Sequence, residues 1–429
     1  MLSQRGEVQR EPEEQRAPGS WTNRTKQAAR VGLVGAGVGS AVILSTEGSA
    51  AWTLVRLLAL GVVVSAATRS ARGDHPWRAT LATAAFGLIA TAAGGAIGFR
   101  YLSFDGWSVR MVGGLVTAVS GVVLLAVAVR STVHLLAGWR RLLTVPAGLA
   151  LLYGVGSPVA IAVTATNVPR SELGALTPGD RGFAYEDVKF TTADGVNLSG
   201  WYIPSPNGTA VALLHGASSN RSRVLDHAVV LASRGYGVLL YDARGQGRSG
   251  GRAMNLGWYG DLDITAAVDF LRSRPDVDPR RIGAVGLSMG GEQAIGALAV
   301  DPRLRAVVAE GATNRVAADL SWLDDRYGIR GRIQQAVSSM TTGLTELLTD
   351  APRPVKLRDA VAAAGGRPVL LIAAGDVADE LYAGEEIRSI SPRSVELWAV
   401  PGADHVGGLR VAPEDWEQRV AAFLEAALR

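Results

Sequence analysis

The sequence predicts two unlike halves: an all-α, membrane-type region over residues 28–166 and an α/β domain with a mostly parallel sheet over residues 182–429. Three observations carry this. Charges are sparse and clustered between Val31 and Thr166, where five apolar stretches follow one another. Beyond Gly182, short apolar runs bounded by glycine alternate with helical patterns, the rhythm of a parallel sheet with helices on both faces. A glycine-flanked serine stands where one of these runs passes into the helix after it.

Residues 1–27 are rich in Arg, Glu, Gln and Pro and carry no hydrophobic pattern, so a disordered tail is expected there. The tail is too long and too acidic for the n-region of a cleaved signal peptide. The apolar stretches are Ala29–Thr46, Ala50–Thr68, Ala79–Phe99, Val109–Val129 and Leu142–Ala165, each roughly 18–24 residues long. That length crosses a ~30 Å hydrocarbon core as a helix. A soluble helical domain would show polar faces, and these stretches largely lack them. The first two are the weakest, separated only by Glu47, Gly48 and Ser49.

Basic residues set the expected orientation. Arg16, Arg24, Lys26 and Arg30 precede or open the first stretch, Arg69, Arg72 and Arg78 follow the second, and Arg130, Arg140 and Arg141 follow the fourth. The first connection has no basic residue and the third only Arg100 and Arg110. The N-terminus is therefore expected in the cytoplasm, and five crossings place the second half outside. The run Gly32–Ser40 resembles a dinucleotide fingerprint but lacks its third glycine and a preceding strand. Gly35, Gly39, Gly94 and Gly98 read better as sites of close helix packing.

Residues 167–181 turn polar around Pro169, Pro178 and Gly179 and form a linker. Tyr185–Thr191 and Val196–Ile203 alternate around Ala193-Asp194-Gly195, a hairpin signal. Six further runs read as strands: Ala210–Leu214, Gly237–Tyr241, Arg281–Val285, Leu304–Ala309, Pro368–Ala373 and Val395–Val400. Residues 314–364 break the rhythm with a helical, partly apolar segment containing Trp322 and Tyr327, expected to be a lid.

The chemistry centres on Gly286-Leu287-Ser288-Met289-Gly290-Gly291, between a strand and the helical Glu292–Val300. G-x-S-x-G in that setting makes a nucleophile elbow, whose tight turn requires small neighbours. Ser288 needs a base, and the chain has five histidines. His75 and His134 belong to the membrane half, His227 to a helical segment, and His215 ends a strand in another motif. His405, in a loop after the last strand, is left to accept the serine proton. The acid that orients it belongs in the loop after the preceding strand. Asp379 is favoured there, with Asp376 and, after an earlier strand, Glu310 as competitors. The oxyanion donors are expected to be the backbone amides of Met289 and of Ala217, the latter in His215–Arg221, where Gly216 allows a close approach.

The segments YEDVKFTTADGVNLSGWYI (185–203), LLHGASSNR (213–221), YDARGQGRSGG (241–251), GAVGLSMGG (283–291) and Gly402–His405 resemble bacterial α/β-hydrolases related to serine aminopeptidases and dienelactone hydrolases. The resemblance covers about 250 residues. It implies the α/β-hydrolase fold and a serine hydrolase acting on a small ester, thioester or amide through an acyl-enzyme, without metal or organic cofactor. It also implies that Asp242 and Arg244 are structural. Two rivals share these residues: an acyltransferase using the same triad, and a membrane sensor that keeps the fold without catalysis.

Composition is consistent with this. The formal net charge of +4 is no argument for nucleic-acid binding, and a chain with no cysteine has no disulfide framework or thiolate nucleophile. The expected partners are a small-molecule substrate and a lipid bilayer.

Overall fold

The computed structural model describes residues 23–45, 50–70, 76–104, 106–167 and 171–429. The expected disordered tail lies largely outside these residues. The N-terminal half is a bundle of α1 (Asn23–Ser45), α2 (Ala50–Ser70), α3 (Pro76–Phe104) and α4 (Val109–Leu135), followed by a composite helix over Gly138–Asn167. The composite consists of a 3-10 turn, α5 (Thr144–Leu151), a π turn at Leu152–Gly156, and α6 (Ser157–Asn167). Pro158 has no N–H to return along the helix, and the winding changes to a π turn just before it. Among the described residues four helices, all but α2, are long and apolar enough to cross a membrane. The second apolar stretch is helical too, as α2, but several of its side chains fall outside the described residues.

Glycine sets how closely the bundle packs. A Cβ on Gly39 would lie 2.7 Å from the Gly113 carbonyl oxygen, and one on Gly98 would lie 2.8 Å from the Leu115 nitrogen. One on Gly94 would strike the backbone amide of Ala118. Backbones at such contacts leave no room for a side chain. Ile43, Ile97, Tyr101 and Met111 pack together with Val163 at one end of the bundle. The ends of α1, α3 and α6 and the start of α4 therefore share that end, from which the chain enters the second half.

The second half holds an eight-stranded sheet: β1 (Glu186–Thr191), β2 (Asn197–Ile203), β3 (Gly208–Leu214), β4 (Gly237–Tyr241), β5 (Val277–Leu287), β6 (Val307–Glu310), β7 (Val369–Ala374) and β8 (Val395–Val400). Their spatial order is β1-β2-β4-β3-β5-β6-β7-β8. β2 runs antiparallel to both its neighbours, β1 and β4, and the six strands from β3 to β8 are parallel to one another. This is the α/β-hydrolase sheet. β3, β4, β6 and β7 are buried almost throughout, as a parallel sheet covered on both faces requires.

On one face α8 (Gly260–Arg272), α9 (Met289–Val300) and α12 (Leu357–Ala363) bury Ile264, Leu271, Ile295, Leu298, Leu357 and Val361. On the other, α7 (Leu225–Ser233) and α15 (Pro413–Ala427) bury Leu225, Leu231, Trp416, Val420 and Leu424. α13 (Ala378–Ile390) follows β7, and the short α14 (Gly408–Val411) precedes α15.

The segment expected as a lid, residues 314–364, does not stand outside the sheet over its whole length. Leu357–Ala363, expected in it, instead form α12 and pack into the core beneath α9. What stands outside the sheet is α10 (Leu323–Tyr327), α11 (Ile329–Leu348) and their flanks. α11 packs along the last helix of the bundle, against both α6 and the π turn below it. At the same junction Arg252 donates to the Thr166 carbonyl oxygen (3.0 Å) and to Asn167 Oδ1 (3.1 Å).

Candidate active site

β5 ends in the turn that carries Ser288. Its backbone has φ 53° and ψ −124°, a conformation that L-residues avoid, and it persists here because the surroundings fix it. The flanking glycines explain how. A Cβ on Gly290 would sit 2.7 Å from the His215 carbonyl oxygen, and one on Gly286 would overlap the Gly290 backbone. The Ser288 N–H donates to the Glu310 carbonyl oxygen at 2.7 Å, tying the elbow to β6. α9 starts at Met289, so its first-turn amides, the positive end of the helix, lie beside the serine.

His405 lies in the loop after β8. Its Nε2 is 2.9 Å from Ser288 Oγ, and its Nδ1 is 2.6 Å from Glu380 Oε1. An ionised carboxylate only accepts, so Nδ1 carries the proton and Nε2 is free to accept from the serine hydroxyl. The hydrogen bond to Glu380 raises the His405 pKa above its ordinary value, outweighing the opposing effect of partial burial. The second oxygen of Glu380 accepts the Ala374 N–H at 2.8 Å, which holds the carboxylate at the end of β7.

Glu380 therefore stands where Asp379 was expected. The reason is helical geometry. α13 begins at Ala378, so residues 379 and 380 are consecutive in a helix and point about 100° apart. Glu380 falls on the inward stripe with Ala383, Gly384 and Ile387. Asp379 faces the lid and accepts the Tyr327 hydroxyl at 2.6 Å. Asp376 is exposed, and its backbone N–H donates to the Ala403 carbonyl oxygen. Glu310 is buried and accepts the Gly408 N–H (2.8 Å) and the Trp416 indole N–H (2.9 Å). It anchors the segment after His405, and Gly311, next in the chain, lies against the imidazole: a Cβ there would be 3.0 Å from His405 Cε1.

The loop after β3 passes behind the nucleophile. A Cβ on Gly216 would be 3.3 Å from Ser288 Cβ, so the backbone leading into Ala217 runs alongside the serine. His215 braces this loop: its Nε2 accepts the Ala243 N–H at 3.0 Å, and its Nδ1 is 2.8 Å from the Gly216 carbonyl oxygen. Burial lowers its pKa, in keeping with a neutral ring that donates through Nδ1. Asp242 accepts from the Arg221 guanidinium (2.7 Å) and the Arg248 N–H (2.8 Å), and Arg244 pairs with Asp194 and Asp263. His227 is buried edge-on against Trp416, with its pKa lowered to about 4 by desolvation. Both His215 and His227 are therefore structural. Among the described residues no group of three or more His, Asp or Glu could hold a metal ion.

Serine, imidazole and carboxylate thus meet at the C-terminal edge of the parallel strands, after β5, β8 and β7, where open α/β sheets place their sites. Residues 205–361 match the family model described as serine aminopeptidase, S33. An uncharacterized protein of Mycobacterium tuberculosis is 40% identical over 116 residues, 26% of this chain and 41% of that protein. The thiohydrolase aneE of Aspergillus aculeatus is 34% identical over 143 residues, 31% of this chain and 43% of that protein. The chain thus spans about two fifths of the length of these curated relatives. An esterase of Pyrococcus furiosus of known structure is 30% identical, with 62% of this chain and 99% of that one covered and a TM-score of 0.49.

Sheet order, elbow and family match define the class: an enzyme of the α/β-hydrolase fold. Within that class, residues 205–361 are similar to the family described as serine aminopeptidase, S33.

Proposed function

We propose that this protein is a membrane-anchored serine hydrolase that cleaves an ester, thioester or amide through an acyl-enzyme. The observation that carries the proposal is the continuous relay Ser288 Oγ–His405 Nε2 (2.9 Å) and His405 Nδ1–Glu380 Oε1 (2.6 Å). Ser288 Oγ attacks the carbonyl carbon while its proton passes to His405 Nε2. Glu380 holds the ring in the required tautomer and stabilises the imidazolium that forms. The Met289 and Ala217 amides take the negative charge developing on the carbonyl oxygen. The tetrahedral adduct expels the alcohol, thiol or amine, which leaves with the proton from His405. Water, deprotonated by His405, then attacks the acyl-serine, releases the acid and restores the hydroxyl.

The apolar helices anchor the enzyme. α1 begins at the end of the bundle away from the hydrolase domain, and Arg69 at the end of α2 and Arg130 near the end of α4 lie at that same far end. The basic-residue bias favours a cytoplasmic side for that end, and hence an extracytoplasmic hydrolase domain. Cleavage of residues 182–429 by protease added to intact cells supports this side, and protection until lysis contradicts it.

The bond type is tested with a matched panel: p-nitrophenyl esters, an acyl thioester and an aminoacyl amide, each with wild type and Ser288→Ala. Hydrolysis of at least one member, lost in the variant, is expected. Equal rates for both proteins on every member would remove Ser288 from the chemistry.

A further inference from the structure

α11 shows its aliphatic residues to the outside. Ile329 (71% exposed), Ile333 (51%) and Leu347 (81%) fall, with Ala336 and Met340, at spacings of i, i+4, i+7, i+11 and i+18. At about 100° per residue these positions form a single narrow stripe. The opposite side buries Gly331, Thr342 and Thr345, and Thr342 Oγ1 accepts the Ala317 N–H at 3.2 Å. This is the inverse of a water-facing surface helix, which hides aliphatic residues and shows polar ones.

The neighbour of this helix identifies what covers the stripe. α11 packs on α6 and on the π turn Leu152–Gly156. Gly156 lies eleven residues before the end of α6, about 17 Å down a helix that is apolar enough to span a membrane. A helix held at that depth beside a membrane span meets lipid on its free side. Arg330 and Arg332 near its start suit the headgroup region, with Arg332 paired to Asp324 at 2.9 Å.

The segments that flank α11 connect to residues next in the chain to those of the candidate active site. Ahead of it, α10 is fixed to α13 by the Tyr327–Asp379 hydrogen bond, one residue from Glu380. Behind it, Thr349 Oγ1 donates to Asn255 Oδ1 at 2.8 Å, beside Met254, whose sulfur is 3.9 Å from Ser218 Oγ in the loop that carries Ala217. The 20-residue helix, about 30 Å long, therefore runs from the acid side of the site to its oxyanion side.

We infer that α11 is embedded in the bilayer surface and admits a membrane-resident substrate: an amphiphile whose long acyl chain is esterified near the headgroup level. This rests on the serine-hydrolase reading. The acyl carbon is transferred from the ester oxygen to Ser288 Oγ, the headgroup alcohol leaves with the serine proton, and water completes hydrolysis to the fatty acid.

The test uses the full chain in phospholipid vesicles. Because the protein has no cysteine, single substitutions I333C, L347C and, as a control, S339C each accept one nitroxide. The labels at 333 and 347 are expected to relax more with oxygen than with a water-soluble nickel chelate, and the label at 339 less so. Dominance of the chelate at 333 and 347, or shielding from both reagents as in a protein–protein contact, would overturn the inference. In parallel, I333S/L347S is expected to lose about tenfold or more in hydrolysis of vesicle-dissolved p-nitrophenyl palmitate, since each buried CH₂ is worth ~0.8 kcal/mol. Hydrolysis of p-nitrophenyl acetate is expected to stay unchanged. Equal losses on both esters, or none on either, would also overturn it. If wild type cleaves neither ester, the assignment of an ester substrate is overturned, the thioester and amide of the wider panel decide the hydrolase reading separately, and the nitroxide arm still decides whether α11 is embedded.

Discussion

His405 Nδ1 and Glu380 Oε1 lie 2.6 Å apart, and the carboxylate that makes this contact is almost wholly removed from solvent. A buried acceptor with one oxygen on Ala374 N–H and the other on the imidazole is fixed from two sides. Glu380→Gln can present its amide nitrogen to Nδ1 and so favour the wrong tautomer. It should lower kcat by roughly a thousandfold or more. Asp379→Asn, one residue away, should leave kcat near wild type. Steady-state hydrolysis of p-nitrophenyl acetate by the two variants checks the assignment, and the reverse order would restore Asp379 as the acid.

The same hydrogen bond fixes the direction of the pH dependence. The base form of His405 is required, and its pKa is raised above the ordinary value of about 6.5. kcat/KM should therefore rise with pH through a limb above that value, and activity should be lost as pH falls through the raised pKa. The stability contribution of the pair runs the other way: it is full below the unfolded histidine value and lost as pH rises through the folded one. In any Glu380 variant that retains measurable activity, the kcat/KM limb should move to lower pH.

α10 is held on the helix that carries Glu380 by Tyr327–Asp379, by the ring cluster Trp322, Tyr327 and Tyr382, and by the Arg326–Glu385 pair (2.7 Å). Tyr327→Phe removes one half-exposed hydrogen bond, at a cost of up to about 1 kcal/mol. Faster limited proteolysis within 321–330 is expected, with global unfolding little changed. Unaltered cleavage would show that the aromatic packing and the Arg326–Glu385 pair suffice to hold α10 in place.

Packing of the bundle on glycine makes a separate prediction. Gly94→Val places its side chain against the Ala118 amide and the Gly114 carbonyl oxygen, whereas nothing lies within 4 Å of a Cβ at Gly61. Gly94→Val should cost about 1–3 kcal/mol through overpacking. Thermal unfolding in detergent, with Gly61→Val as the tolerated comparison, measures this.

Much of this architecture is legible in the sequence because it rests on local patterns. Six of the eight strands follow from short apolar runs and the other two from alternation around Ala193-Asp194-Gly195, and Gly286 and Gly290 mark the elbow because nothing larger fits. His405 emerges because the other four histidines have evident places elsewhere. The acid is harder to read, since three candidate carboxylates crowd residues 376–380 and the choice depends on where α13 starts. One signal was available: Glu380, Ala383, Gly384 and Ile387 repeat as i, i+3, i+4 and i+7, which puts a glutamate on a buried stripe. The end of the segment outside the sheet is hard to read for a related reason. Leu357–Ala363 is helical like the lid, and only its packing under α9 assigns it to the core.

Peptide mass analysis after reaction with a fluorophosphonate decides whether Ser288 is the nucleophile. One phosphonyl adduct is expected, on the peptide containing Ser288, absent in Ser288→Ala and strongly slowed in His405→Ala. An unmodified wild-type protein, or an adduct that persists in Ser288→Ala, would contradict that assignment.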